Sequence, residues 1–259
     1  DALTGIKDLP DECVDLIVTS PPYFGCRKYG DETLGREANP LEYIQNLSEF
    51  FNENNCKRIL KKTGSMYIII GDVYFGTKGF SRNKGKYSRK TDEHYKEHKI
   101  AKEDGKYLQH KQLLMMPERL GIKLQEQGWI LRNKIIWEKS NPIPSFSKDR
   151  RLPVYEVILF FAKNKKYYFD YKKAKELKVH RDVTKYGIEK FGEHQASFPE
   201  RLIEPLILTS SKEGDVVFDP FMGSGTVAVV AKNNNRQYLG FDLNKKYCEI
   251  ARKRIDELP

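Results

Sequence analysis

Two short segments hold the residue types that could carry chemistry: Thr19-Ser20-Pro21-Pro22-Tyr23 and Asp219-Pro220-Phe221-Met222-Gly223-Ser224-Gly225-Thr226. In the first, Pro21 and Pro22 lack N–H donors and restrict φ, so a rigid turn presents main-chain carbonyls beside the Ser20 hydroxyl. Tyr23 adds an aromatic face. Two acceptors and a ring suit an exocyclic amine. The acceptors take its two hydrogens, and the ring stacks on the base that bears it. The same residues would also make a plain turn with a packed tyrosine.

In the second segment, Gly223 and Gly225 permit positive φ and close approach of the backbone to a ligand. Asp242 follows the strand-like run Tyr238 to Phe241, about 20 residues on, where a carboxylate can accept hydrogen bonds from ribose hydroxyls. A helix start can bind phosphate, but no Gly-Lys-Ser/Thr signature is present, and a carboxylate at Asp219 would repel phosphate. A cationic, unphosphorylated nucleoside such as S-adenosyl-L-methionine fits better than a nucleotide. The plainer reading is an ordinary glycine-rich turn between strand and helix. No metal is expected. Cys13, Cys26, Cys56 and Cys248 match no zinc or disulfide spacing, which favours a reducing cytoplasm.

Each segment follows a short apolar run, Leu16-Ile17-Val18 or Val216-Val217-Phe218. Strands ending in such turns place polar groups at the carboxyl edge of a sheet, where open α/β sheets bind ligands. The remaining pattern supplies the other elements. Strands are predicted over Val14 to Thr19, Ser65 to Gly71, Trp129 to Glu138, Tyr155 to Lys163, Asp215 to Phe218 and Gln237 to Asp242. Helices are predicted over Pro40 to Leu60 (ended by Lys61-Lys62-Thr63-Gly64), Pro117 to Gln127 (stopped by Gly128), Phe198 to Ser211, Gly225 to Asn233 and Asn244 to Leu258. The strands Trp129 to Glu138 and Tyr155 to Lys163 are candidates to pair with each other. This alternation predicts one α/β domain over residues 1–259, a doubly wound, mostly parallel sheet with helices on both faces. Two polar, basic segments interrupt it, 76–110 and 163–192.

The chain has 259 residues, 39% of them apolar, and a formal net charge of +10. That excess attracts polyanions, although many basic proteins bind no nucleic acid. No apolar run is long enough to span a membrane, and no membrane partner is expected. The chain begins at Asp1 without a methionine, and residues upstream are expected.

With both motifs in place, the chain resembles the amino-group DNA methyltransferases in which the catalytic motif precedes the cofactor motif. Thr19 to Tyr23 is similar to the catalytic (S/D/N)-P-P-(Y/F) motif, in the Thr-Ser-Pro-Pro-Tyr form usual for cytosine-N4 enzymes. Asp219 to Thr226 resembles the glycine-rich cofactor motif, and Asp242 the acidic residue that binds the cofactor ribose. Trp137 to Arg150, followed by Tyr155 to Phe160, resembles the W-x-K-x-N-P-x-P segment of the group. Pro142-Ile143-Pro144 replaces its usual Pro-Met-Pro, and Tyr155 stands where relatives often have His. Ser197 to Leu202 resembles the segment that closes over the cofactor, and Asp1 falls in the motif before the catalytic strand.

The resemblance implies a Rossmann-like S-adenosyl-L-methionine-dependent methyltransferase fold with basic DNA-binding loops. It implies methylation of the N4 amine of a flipped cytosine in double-stranded DNA. An adenine-N6 enzyme on the same scaffold is the alternative, since adenine relatives usually carry Asp in place of Ser20. An inactive, cofactor-holding DNA-binding regulator is a third possibility. Ser20, Pro21, Pro22 and Tyr23 would be catalytic. Asp219, Pro220, Phe221, Gly223, Ser224, Gly225, Thr226, Asp242 and Phe198 would hold the cofactor, with Phe221 and Phe198 packing on it. Trp137 is expected in the core. Lys139, Asn141, Lys148, Asp149 and Arg150 form a loop that touches phosphate or base, or is simply solvated. Segments 76–110 and 163–192 are the candidate DNA contacts, the latter for target recognition. A cognate restriction endonuclease is an expected partner, and the chain is expected as a monomer or homodimer in the cytoplasm of a bacterial or phage-infected cell.

Overall fold

The computed structural model describes residues 2–25, 34–76, 101–142, 144, 147–191 and 194–258. In chain order the elements are α1 (Ala2–Gly5), β1 (Val14–Thr19), α2 (Pro40–Phe50), α3 (Cys56–Ile59), β2 (Leu60–Ile70), α4 (Met116–Glu126), β3 (Ile130–Lys139) and β4 (Tyr155–Ala162). They continue as α5 (Tyr171–Glu176), β5 (Val183–Tyr186), β6 (Glu189–Phe191), β7 (His194–Ser197), α6 (Glu200–Ser210), β8 (Val216–Asp219), α7 (Thr226–Asn233), β9 (Gln237–Gly240) and α8 (Lys245–Asp256). Seven strands form one sheet in the order β5-β3-β4-β2-β1-β8-β9, and β6 and β7 form a separate hairpin. Every strand of the large sheet runs in one direction except β4, which is antiparallel to both β2 and β3. The sheet is therefore mostly parallel, as the alternation of elements predicts, and β3 and β4 do pair.

The central strands read as continuous apolar runs because both faces are covered. Alternate residues enter two cores. Ile17, Met66, Ile68, Leu159 and Phe161 pack beneath α2, α3 and α4, with Tyr43, Leu47, Ile59 and Leu120. Leu16, Val18, Ile69, Phe160 and Val217 face α6 and α7, through Leu202, Ile203, Ile207, Val227 and Val230. Among the described residues no helix is long and apolar enough to cross a membrane.

Several predicted boundaries shift, each for a local reason. The helix expected over Pro40 to Leu60 breaks after Phe50. Asn52 Oδ1 accepts from Asn54 N at 2.9 Å, an Asx turn that competes with helix. The Phe51 carbonyl instead accepts from Trp129 Nε1 at 2.9 Å. Leu60 already belongs to β2, so Lys61 to Gly64 lies inside a strand rather than ending a helix. Val14 pairs with Leu60 and Leu16 with Ser65, so those four residues bulge from the ladder. Lys61 there pairs with Asp15 at 2.8 Å. Helix α6 begins at Glu200 with Pro199 as its N-cap, two residues later than a start at Phe198.

The second basic segment is folded over residues 163–191 rather than a loop. It leaves β4 at the amino-terminal edge of the sheet, where Tyr168 N donates to Thr63 O at 2.9 Å. It then forms α5 and returns as β5, parallel to β3. Only its last third, from Val183 onward, rises to the carboxyl edge. Of 76–110, residues 77–100 lie outside the described residues, as do Asp1 and Cys26.

The turn between β8 and α7 is built on Gly225, at φ +83°. A Cβ there would lie 2.8 Å from Ala251 Cβ and 3.1 Å from Ala251 Cα, on α8. Gly225→Ala should therefore cost about 1–3 kcal/mol or more, from left-handed strain plus overpacking. Urea unfolding should show this as a lower midpoint. An unchanged midpoint would mean that α8 does not press on the turn.

Candidate active site

Because β1, β2, β3, β8 and β9 run the same way, their carboxyl ends share one edge of the sheet, and antiparallel β4 begins there. The strand order reverses between β1 and β8: the chain passes from β1 to β2 on one side, while β8 and β9 occupy the other. A crevice opens at such a switch point. The two motif-bearing turns leave these two neighbouring strands. Thr19 Oγ1 bridges them, donating to Asp219 Oδ1 at 2.7 Å.

Asp219 is 1% exposed. Its Oδ1 also accepts from Phe221 N at 3.0 Å. Burial pushes its carboxyl up to about 7, with the Asp242 charge adding to the rise. The Thr19 hydroxyl and the Phe221 N–H oppose that rise. Asp242 sits two residues beyond β9, in the turn before α8, and does more than a ligand-facing carboxylate would. Its Oδ2 accepts from Gly223 N and its Oδ1 from Asn244 N, both at 2.8 Å. It therefore braces the glycine turn. Gly223, at φ +52°, faces open space: an added Cβ would meet nothing nearer than Phe221 O at 3.9 Å.

The remaining cofactor-motif residues divide by burial. Pro220, Ser224 and Thr226 are buried. Phe221 is half-buried against Phe50, with ring centroids 5.2 Å apart. Phe198 is half-buried on the core beneath α6 and α7.

Arg254, on α8, is a residue that sequence reasoning missed. Its Nη1 donates to Ser224 O at 2.7 Å, and its Nη2 pairs with Glu200 Oε1 at 2.7 Å. One guanidinium thus ties α8, the glycine turn and the start of α6 together. Nothing in the helix pattern separates it from the neighbouring Lys253, which pairs with Glu257 at the surface.

At the Ser-Pro-Pro-Tyr turn, the Pro22 carbonyl accepts from Tyr43 Oη of α2 at 2.9 Å. Ser20 Oγ donates to Tyr23 Oη at 3.4 Å, and Tyr23 Oη donates to Glu156 Oε2 at 2.8 Å. The Tyr23 ring lies over Gly71, just past β2, where a Cβ would come within 2.8 Å of Tyr23 Cε2.

Lys139 is not on the loop expected to touch phosphate. It is the last residue of β3 and forms an ion pair with Glu156. Asn141, Asp149 and Arg150 also have partners inside the chain, and Lys148 is exposed. Asn141 Oδ1 accepts from Ile188 N at 2.6 Å. Asp149 pairs with Lys111 at 2.6 Å, and the Arg150 guanidinium lies 4.0 Å from the centre of the Tyr74 ring. Trp137 is in the core as expected, with Nε1 donating to Tyr186 O at 3.1 Å. Among the described residues no three His, Cys, Asp or Glu side chains gather as a metal site.

The sheet order and the paired turns at its switch point make the chain an α/β protein with its candidate site at that point. It belongs to the DNA methylase family of N6/N4 type, whose profile matches residues 14–253. It is 39% identical over 263 residues to the type II methyltransferase M.Cfr9I of Citrobacter freundii, covering 98% of this chain and 85% of that one. Among solved structures it superposes on the cytosine-N4-specific PvuII DNA methyltransferase with a TM-score of 0.73 at 21% identity, covering 100% of this chain and 86% of that one. The structure of the M1.HpyAVI–SAM complex matches with a TM-score of 0.61 at 22% identity, covering 99% of this chain and 96% of that one. At these identities the two structures speak for the fold.

Proposed function

We propose that this chain transfers a methyl group from S-adenosyl-L-methionine to the N4 amine of a cytosine flipped out of double-stranded DNA. The observation that carries this reading is the meeting of the Ser20 turn and the Asp219 turn on adjacent strand ends, joined by the Thr19–Asp219 hydrogen bond. The similarity to type II methyltransferases supports a role in a restriction–modification system, and a bacterial cytoplasm and a cognate endonuclease partner belong to the same proposal.

The residues present fit the cofactor. Gly223 leaves room for backbone approach, and the Asp242 carboxylate, held against the same turn, is the acceptor type that ribose hydroxyls bind. The carboxylates Asp219 and Asp242 favour a cationic nucleoside over a phosphate. The pocket would be completed by Pro220, Phe221, Ser224, Gly225 and Thr226 from the turn, and by Phe198 from the approach to α6. When bound, S-adenosyl-L-methionine supplies an electrophilic methyl on a sulfonium.

The chain's own residues do the rest. Flipping the base costs a few kcal/mol, and stacking on Tyr23 returns about 1–3 kcal/mol. Ser20 Oγ and the Pro21 carbonyl accept the two amine hydrogens, which turns the nitrogen lone pair toward the methyl. One of those hydrogens then leaves as a proton to solvent once the N–C bond has formed and the methyl–sulfur bond has broken. The Pro22 carbonyl, held by Tyr43, keeps the turn rigid. Much of the barrier reduction then comes from positioning. Serine in this place favours cytosine over adenine. For DNA contact, segment 76–110 and the part of 163–192 from Val183 onward are proposed, because that part alone reaches the catalytic edge. Incubation of plasmid DNA with the protein and methyl-labelled S-adenosyl-L-methionine should leave label in the DNA. Unlabelled DNA together with intact cofactor binding would instead support an inactive regulator.

Arg254 offers a test of the cofactor turn. Arg254→Met leaves the Ser224 carbonyl and Glu200 without this partner, and should weaken S-adenosyl-L-methionine binding about tenfold. Calorimetry showing wild-type affinity would mean the turn holds its shape without the guanidinium.

A further inference from the structure

We propose that Glu156 is a positioning residue for the catalytic turn, acting through Tyr23 to orient the Ser20 hydroxyl. This inference rests on the proposed amine methylation. Glu156 stands at the start of β4, opposite Trp137 of β3 in the ladder. Among the described strands of the large sheet antiparallel β4 alone begins at the carboxyl edge, so it delivers a side chain from its amino end into the site. The Glu156 carboxylate is mostly buried, with its side chain 16% exposed, and Lys139 forms an ion pair with its Oε1.

A carboxylate paired with an ammonium only accepts hydrogen bonds. The Tyr23 hydroxyl hydrogen must therefore point to Glu156 Oε2, 2.8 Å away. That leaves the Tyr23 oxygen as an acceptor, and Ser20 Oγ donates to it at 3.4 Å. With its hydrogen directed inward, Ser20 Oγ presents lone pairs outward, as capture of an amine hydrogen requires. Reversed polarity would aim an O–H donor at an N–H donor. The same bond pins the edge of the Tyr23 ring over Gly71, which sets the plane on which the base stacks. A chain of hydrogen bonds ending on a charge is stronger than its isolated members.

The test is a double-mutant cycle read by single-turnover methyl transfer, with calorimetric cofactor affinity measured alongside. Tyr23→Phe keeps the ring and removes the link. Glu156→Gln keeps the shape and removes the obligatory acceptor. Each should slow transfer about tenfold, with cofactor affinity unchanged. The double variant should be no slower than Tyr23→Phe alone, because Glu156 acts through that hydroxyl. Independent, multiplying effects would overturn the proposal, as would full-rate transfer by Tyr23→Phe, whatever Glu156→Gln does to folding. A wild-type chain that binds cofactor but transfers no methyl would remove the underlying reading and this inference with it.

Discussion

Ser20→Ala should lower the single-turnover rate of methyl transfer about a hundredfold, while S-adenosyl-L-methionine binds as tightly as to the wild type. The size follows from removing one preorganised polar group at a reacting centre, about 10²–10³ in rate. The separation of rate from affinity follows from position. Ser20 lies on the turn after β1, whereas the proposed cofactor contacts lie on the turns after β8 and β9 and, for Phe198, just before α6. The residue is only partly buried, and its hydroxyl is bonded to Tyr23 at 3.4 Å, so the truncation leaves no large cavity. Rapid-quench transfer and calorimetry together check this. Undiminished transfer in Ser20→Ala would remove the hydroxyl from the mechanism.

Asp219 should make the fold less stable as pH rises. Its folded value is about 7, against 3.8 ordinarily, because burial penalises the charged form. Between about pH 4 and pH 7 the native state holds a proton that the unfolded chain has lost. Stability from this group is therefore greatest below about pH 4, falls as pH rises through that window, and levels off above about pH 7. At about 1.4 kcal/mol per unit the full change is at most about 4 kcal/mol.

Asp219→Asn should abolish that slope. Both bonds to the side chain, from Thr19 Oγ1 and Phe221 N, go to Oδ1, which an asparagine retains. The variant should be more stable than the wild type at pH 8 and, above about pH 7 where Asp219 is charged, bind S-adenosyl-L-methionine more weakly, since the proposed cofactor turn loses a nearby negative charge. A site that holds a costly charge for function trades stability for it. Urea unfolding from pH 5 to 8 is the measurement. A flat wild-type profile, or an asparagine variant less stable at pH 8, would show that Asp219 is not the group that titrates.

What could be read from the sequence is what the chain encodes locally. Val14 to Thr19 and Asp219 to Thr226 announce strand and turn within a few residues, and alternating elements imply a mostly parallel sheet. The boundaries that moved are those where side-chain bonds to the backbone outweigh periodicity, as at Asn52 and Asn54. The partners that complete the site were not legible, because tertiary packing brings them in. Glu156 is 133 residues from Tyr23 and arrives only because β4 inserts antiparallel between β2 and β3. Arg254 is 30 residues from Ser224 and arrives through the packing of α8 on the turn. Segment 163–192 reads as one basic stretch, yet the fold sends its first half to the far edge of the sheet, a separation that charge and composition do not encode.

The most direct measurement is mass spectrometry of nucleosides from duplex DNA incubated with the protein and labelled S-adenosyl-L-methionine. N4-methylcytosine is the expected product, and Ser20 would then be the acceptor that suits a cytosine amine. N6-methyladenine would contradict that reading of the target base while leaving the fold and the cofactor turn as described.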